Sequence, residues 1–265
     1  MSEAPKYPVR TLDKAIEILN LLYSSDDHRG CGITELSVKS GLNKSVVHRI
    51  MDTLLYNGLV EKDPDTSRYR LGWGLYTLAQ KVPQQNHLYN ISINYLIELS
   101  KAVTTTVNLG ILRGTNSIII SKIESNSRDS VMRIATQIGE PEEAYATSLG
   151  KVILSDKDDY EIRELFGSGF RFRKMTPNTV SNIDELIERI HEVRNNGYAI
   201  DNEELALGLI CLSMPIRDYT GGVVAAVSVS SLGVMLTEER KQMILQHLSV
   251  CCRSISKALG FSGAL

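Results

Sequence analysis

Between Val46 and Leu55 the apolar residues come in adjacent pairs: Val46-Val47, Ile50-Met51 and Leu54-Leu55. Pairs that recur every four residues form a stripe down one side of an α-helix, and such a stripe must face a core. The other side carries Lys44, Ser45, His48, Arg49 and Asp52. Upstream, Leu12, Ala15, Ile16, Leu19 and Leu22 give a second helical period, which Thr11 can cap. A short helix over ELSVKS, capped by Thr34 and ended by Gly41, leads into the striped helix, capped by Asn43 and closed by Gly58. Two short helices around a glycine-containing turn form a helix-turn-helix. LVEKD and RYRLG, separated by PDTS, then read as a hairpin turning at Pro64-Asp65. Helix, helix-turn-helix and hairpin in that order specify a winged helix over residues 8–72.

Charge tells less than its placement. The chain has a formal net charge of −2, so binding to a polyanion must rest on where cations cluster. The first two turns of a recognition helix are where side chains meet base edges. Ser45, His48 and Arg49 are therefore the expected base readers, with Lys44, Arg68 and Arg70 on phosphate. Glu61, Asp63 and Asp65 load the hairpin with acid and oppose phosphate contact at its tip.

After Gly72, Leu75, Leu78, Ala79 and Val82 continue a helical pattern that Pro83 should end, and HLYNISINYLIELSKAV reads as a further helix. This linking region could also pair subunits. From Thr104 the texture changes. TTTVNLGIL, NSIIISKIES and SVMRIATQI are β-rich, and ICLSMPIRD and GVVAAVSVSS flank a YTGG hairpin loop. Helical stretches are expected at Thr147–Leu154, Tyr160–Phe166, Ile183–Asn195 and Thr237–Leu259. Grouped strands with flanking helices indicate an α+β domain on an antiparallel sheet, spanning with the linker residues 73–262.

Catalytic signatures are absent from this sequence. The five histidines are scattered, no GxSxG or HExxH occurs, and no GxGxxG follows a strand. Cys31, Cys211, Cys251 and Cys252 lack metal-ligand spacing. They read as reduced thiols of a cytoplasmic protein, packed inside rather than nucleophilic. The N-terminus has no apolar signal segment, and serines break the longest apolar run, so no membrane span is expected. No catalytic residue, cofactor or metal is expected.

A small-molecule site has better support. AYATSLGKVIL reads as a loop feeding a helix, where the backbone N–H groups of Ser148, Leu149 and Gly150 would face an anion. Ser228 and Ser230 share one strand face, between valines on the other. Asp201, Glu203 and Glu204 form an acidic loop before the Cys211 strand; such clusters are ordinarily solvated surface.

Together these motifs resemble the IclR family of bacterial transcriptional regulators over nearly the full chain. GITELSVKSGLNKSVVHRIMDTLLYNGLVEKD resembles its helix-turn-helix and wing, AYATSLGKVIL its alanine-threonine-alanine-leucine-glycine-lysine segment, and GYAIDNEELALGLICLSMPIRDYTGGVVAAVSVSS its long signature. The resemblance implies a winged helix joined by a linker helix to a GAF-like effector domain. It also implies a homodimer or homotetramer on a double-stranded DNA operator, repressing or in some members activating catabolic genes. It implies a small carboxylate against the amides of Ser148, Leu149 and Gly150, with Asp201, Cys211, Ser228 and Ser230 completing the pocket. Tyr145 stands where the family usually has histidine, and with VMRIATQIGE, including Met132 and Arg133, it resembles the sugar-acid branch of 2-keto-3-deoxygluconate regulators. Met214 replaces a commoner small residue and is expected to reshape the pocket wall. Two other readings stay open: an enzyme that turns over the ligand, and a winged helix that contacts protein rather than DNA.

Overall fold

The computed structural model describes residues 5–124 and 136–263. The SVMRIATQI strand, the preceding turn, Met132 and Arg133 fall largely or wholly outside the described residues. Two compact units divide the chain, Met1–Asn86 and His87–Leu265.

In the first unit, α1 (Arg10–Tyr23), α2 (Ile33–Ser40) and α3 (Lys44–Tyr56) precede a hairpin of β1 (Val60–Lys62) and β2 (Tyr69–Leu71). This is a winged helix. Its core gathers Ile18 and Leu22 of α1, Leu36 of α2, Val47, Ile50, Met51 and Leu54 of α3, and Val60 and Tyr69 of the wing. Each such side chain contributes roughly 1.5–3 kcal/mol when fully buried. The stripe on α3 is narrower than its sequence suggests: Val46 is half-buried and Leu55 is exposed. Gly41 adopts φ +66° at the end of α2, a left-handed turn that favours glycine and aims α3 away from α2.

The expected caps mostly do not form. Val9 and Gly32 occupy the cap positions of α1 and α2, so Thr11 and Thr34 lie inside their helices, and the Asn43 side chain makes no capping bond. Pro83 sits within a short helix, α5 (Lys81–Gln85), that follows α4 (Trp73–Ala79). A proline in a first turn lacks only an N–H that would be unbonded anyway.

The second unit opens with α6 (His87–Val103). Its sheet contains β3 (Val107–Arg113), β4 (Asn116–Ile123), β5 (Pro141–Glu143), β6 (Ala199–Asn202), β7 (Leu209–Arg217) and β8 (Val223–Leu232). The strands are antiparallel in the order β5-β4-β3-β8-β7-β6. The helices α7 (Ser148–Leu154), α8 (Asp159–Phe166), α9 (Ile183–Asn196) and α10 (Glu238–Ala258) complete the α+β domain. One sheet face packs Val107, Leu109, Leu212, Ile216, Val227 and Val229 against α6 and α10. On the other face lies α7, every residue of which is buried. Period-two alternation thus places Asn108, Cys211, Ser213, Ser228 and Ser230 beneath α7.

Candidate DNA-reading surface and effector site

Lys44, Ser45, His48 and Arg49 are all exposed on α3, opposite the buried residues. His48 Nδ1 lies 3.0 Å from Asp52 Oδ2, one turn on. In the wing, Arg70 Nε donates to Glu61 Oε2 at 3.1 Å across a directly opposed pair. Both side chains keep exposed surface, so a stronger acceptor such as phosphate can compete for Arg70.

Arg68 differs. Its Nε donates to the Gly30 carbonyl at 2.8 Å, and Nη2 reaches Asp27 at 3.2 Å and Glu35 at 3.0 Å. The side chain is 27% exposed. The Arg29 hydrogen bonds, with Arg68 adding its charge, hold the Asp27 carboxyl at about 2. Arg68 ties the wing to the α1–α2 loop, so its guanidinium is occupied by protein acceptors rather than held open to phosphate.

In the second unit, the polar side chains under α7 fall into two rows. Asn108, Ser228 and Ser213 are register partners across β3, β8 and β7; Ser230, Cys211 and Asp201 are partners across β8, β7 and β6. All of them but Ser213 line a cavity of about 20 Å³ with Ser148, Leu149 and Glu142. That volume is room for about one water. Ser213 Oγ donates to Ser148 Oγ at 2.7 Å, fastening α7 to the sheet. Cys211 Sγ donates to Ser230 Oγ at 3.4 Å. Burial, then the neighbouring Asp201 carboxyl, pushes the Cys211 thiol far up, so it is no thiolate nucleophile.

Asp201 lies on β6, not in a solvated loop, and is 1% exposed. Its Oδ1 accepts from the N–H of Glu204 at 2.7 Å and of Leu205 at 3.3 Å. Burial outweighs these bonds and the Lys151 charge, raising the Asp201 carboxyl to about 7. Glu142 also rises to about 7, through burial first, then Glu140 and Asp201. Glu204 is buried as well, because Lys151 Nζ meets its Oε1 at 2.5 Å.

Gly150 does not join the cavity. Its N–H donates to Thr147 Oγ1 at 3.0 Å, the cap of α7. A Cβ at Gly150 would lie 2.2 Å from the Ala144 carbonyl oxygen. This glycine lets two backbones touch, rather than admitting a ligand. Asn108 and Glu142 are cavity residues that the sequence reading missed. Asn108 was detectable, since it is the polar member of an alternating V-N-L-G run; three-residue β5 gave Glu142 no such signal.

Comparison with known proteins decides what these two surfaces belong to. Residues 11–64 match the IclR helix-turn-helix domain, and residues 80–257 match the IclR C-terminal domain of bacterial transcriptional regulators. The chain belongs to the IclR family. It is 30% identical over 251 residues to the HTH-type transcriptional regulator KdgR of Escherichia coli K12, covering 95% of this chain and 94% of KdgR. An IclR transcriptional regulator from Alicyclobacillus acidocaldarius is 25% identical and superposes with TM-score 0.81, covering 96% of this chain and 100% of that one. The solved C-terminal domain of E. coli KdgR, 30% identical, covers 66% of this chain and 99% of its own, with TM-score 0.59. This IclR protein is accordingly a DNA-binding transcriptional regulator with an effector-binding domain, not an enzyme.

Two departures from the family pattern find their places. Tyr145 is buried among Phe166, Phe170 and Phe172, and its hydroxyl donates to the Arg173 carbonyl at 3.0 Å. Met214 packs into the α6–α10 core on the face away from the cavity, so it does not shape the pocket wall. No helix among the described residues is long and apolar enough to cross a membrane.

Proposed function

We propose that this regulator represses a catabolic operon and that a small carboxylate, of the sugar-acid class, relieves the repression. The observation that carries the effector half is the convergence of Asp201, Cys211, Ser228 and Ser230 on one cavity, beside Ser148 and Leu149. Serine hydroxyls and an Asp201 carboxyl raised by burial suit a polyhydroxylated acid, whose carboxylate would lie toward the amides of Ser148 and Leu149. The cavity holds about one water as it stands. A ligand must therefore select a wider state, which gives it the differential affinity that a switch needs.

Ser45, His48 and Arg49 read base edges in this proposal; Lys44 and Arg70 hold phosphate. Trp73, Tyr76, Leu78 and Val82 expose apolar surface on α4 and α5, which supports a homodimer or homotetramer. A dimer would read a palindromic operator in the cytoplasm.

The test is fluorescence anisotropy on DNA upstream of neighbouring catabolic genes, with and without sugar acids. Arg49→Ala should lose specific binding while circular dichroism stays unchanged. Asp201→Ala with Ser228→Ala should bind operator and ignore the acid. An Arg49→Ala protein with parental operator affinity, or a double variant that still responds, would overturn the respective half.

A further inference from the structure

Asn108 is 3% exposed, and both its bonds from Nδ2 run to the cavity serines: 3.2 Å to Ser228 Oγ and 3.3 Å to Ser230 Oγ. Its Oδ1 has no hydrogen-bond partner among the described residues. A buried carbonyl oxygen without a donor is rare and unfavourable. This one belongs to a residue that lines the cavity.

We propose that Asn108 selects the effector by accepting a hydrogen bond from one of its hydroxyl groups, a role that rests on the effector cavity proposed above. The bonding pattern dictates the chemistry. Each serine oxygen accepts from Asn108, and that of Ser230 also accepts from Cys211. The two serine protons are thereby left to donate to a ligand. Oδ1 is left as an acceptor that no carboxylate, ketone or methylene can satisfy. An alcohol can satisfy both, accepting from a serine while donating to Asn108. The Asn108 side of the cavity thus favours a hydroxyl-bearing carbon and rejects an alkyl chain of the same length. Asn108 also acts through the serines, because it fixes which way their protons point.

The experiment is calorimetry on the full chain with two six-carbon acids, D-gluconate and hexanoate, as probes. The parent is expected to bind gluconate at least about tenfold more tightly, a fold-change typical of one well-made hydrogen bond. Asn108→Leu removes the acceptor at similar volume and should cut that ratio by about threefold to tenfold, with hexanoate affinity kept within about threefold. Asn108→Val, which suits a strand and carries no acceptor, serves if the leucine variant does not fold. On the parent itself, the side-chain NH₂ signals of Asn108 should shift with gluconate and much less with hexanoate. A gluconate preference undiminished by either substitution overturns the selector role and leaves the cavity assignment standing. Binding of neither acid by the parent overturns both.

Discussion

Lys151 Nζ lies 2.5 Å from Glu204 Oε1, with the side chains 2% and 7% exposed. Lys151 also donates to the Ile200 carbonyl, so α7 is pinned to β6 and to the turn after it. Removing one charge strands the other. Lys151→Met is expected to cost roughly 3–5 kcal/mol in denaturant unfolding, whereas Lys151→Met with Glu204→Leu should regain most of that loss. A double variant as unstable as the single one would show that the pair's bonds, not its charges, hold the helix.

The two wing arginines should behave oppositely. Arg68→Ala is expected to cost about 1–3 kcal/mol of stability in the DNA-binding unit and leave the salt dependence of operator binding unchanged. Arg70→Ala should leave the melting temperature near the parent's and reduce the salt slope by about one. Anisotropy across a salt series and thermal melts separate the two. A reduced slope for Arg68→Ala would reinstate its phosphate contact.

Asp201 and Glu142 both titrate near 7 when folded, against 3.8 and 4.5 for unburied groups. The folded chain therefore holds more protons than the unfolded one between those values. Their contribution to stability is complete below pH ~4 and is lost as pH rises through about 7. Unfolding free energy should fall from pH 5 to pH 8, less steeply in Asp201→Asn. Gluconate binding should weaken over the same interval, since ionising either group adds a negative charge beside a carboxylate. An effector affinity flat from pH 6 to 8 would contradict the raised values.

Gly150→Ala forces a methyl into the Ala144 backbone. It is expected to destabilise by about 1–3 kcal/mol or more, as overpacking does, and to shift α7. Parental stability in this variant would show that the two backbones separate freely.

Much of this architecture could be read in the residues, for identifiable reasons. The span of α6 was legible because one helical pattern runs unbroken from His87 to Val103. The winged helix followed from its pairs of apolar residues and its glycine stops. Short strands were not legible: β5 and β6 have three and four residues, too few for a period of two. The burial of Glu204 was not legible because its partner Lys151 is 53 residues distant. Arg68 likewise shows its charge in the sequence but not its acceptor, Gly30, 38 residues away. Local pattern gives the face of an element; only the packed chain shows which buried ion finds its counterpart.

The polar rows under α7 carry a consequence for how this regulator can change. Ser228 and Ser230 alternate with Val227 and Val229 on β8, so a slip of β8 by one residue would exchange serines for valines on both faces at once. The ligand-sensing surface and the oily interior are two sides of a single alignment. New effector preferences can arise by swapping individual side chains, but any drift that moves the strand loses the sensor and the fold together.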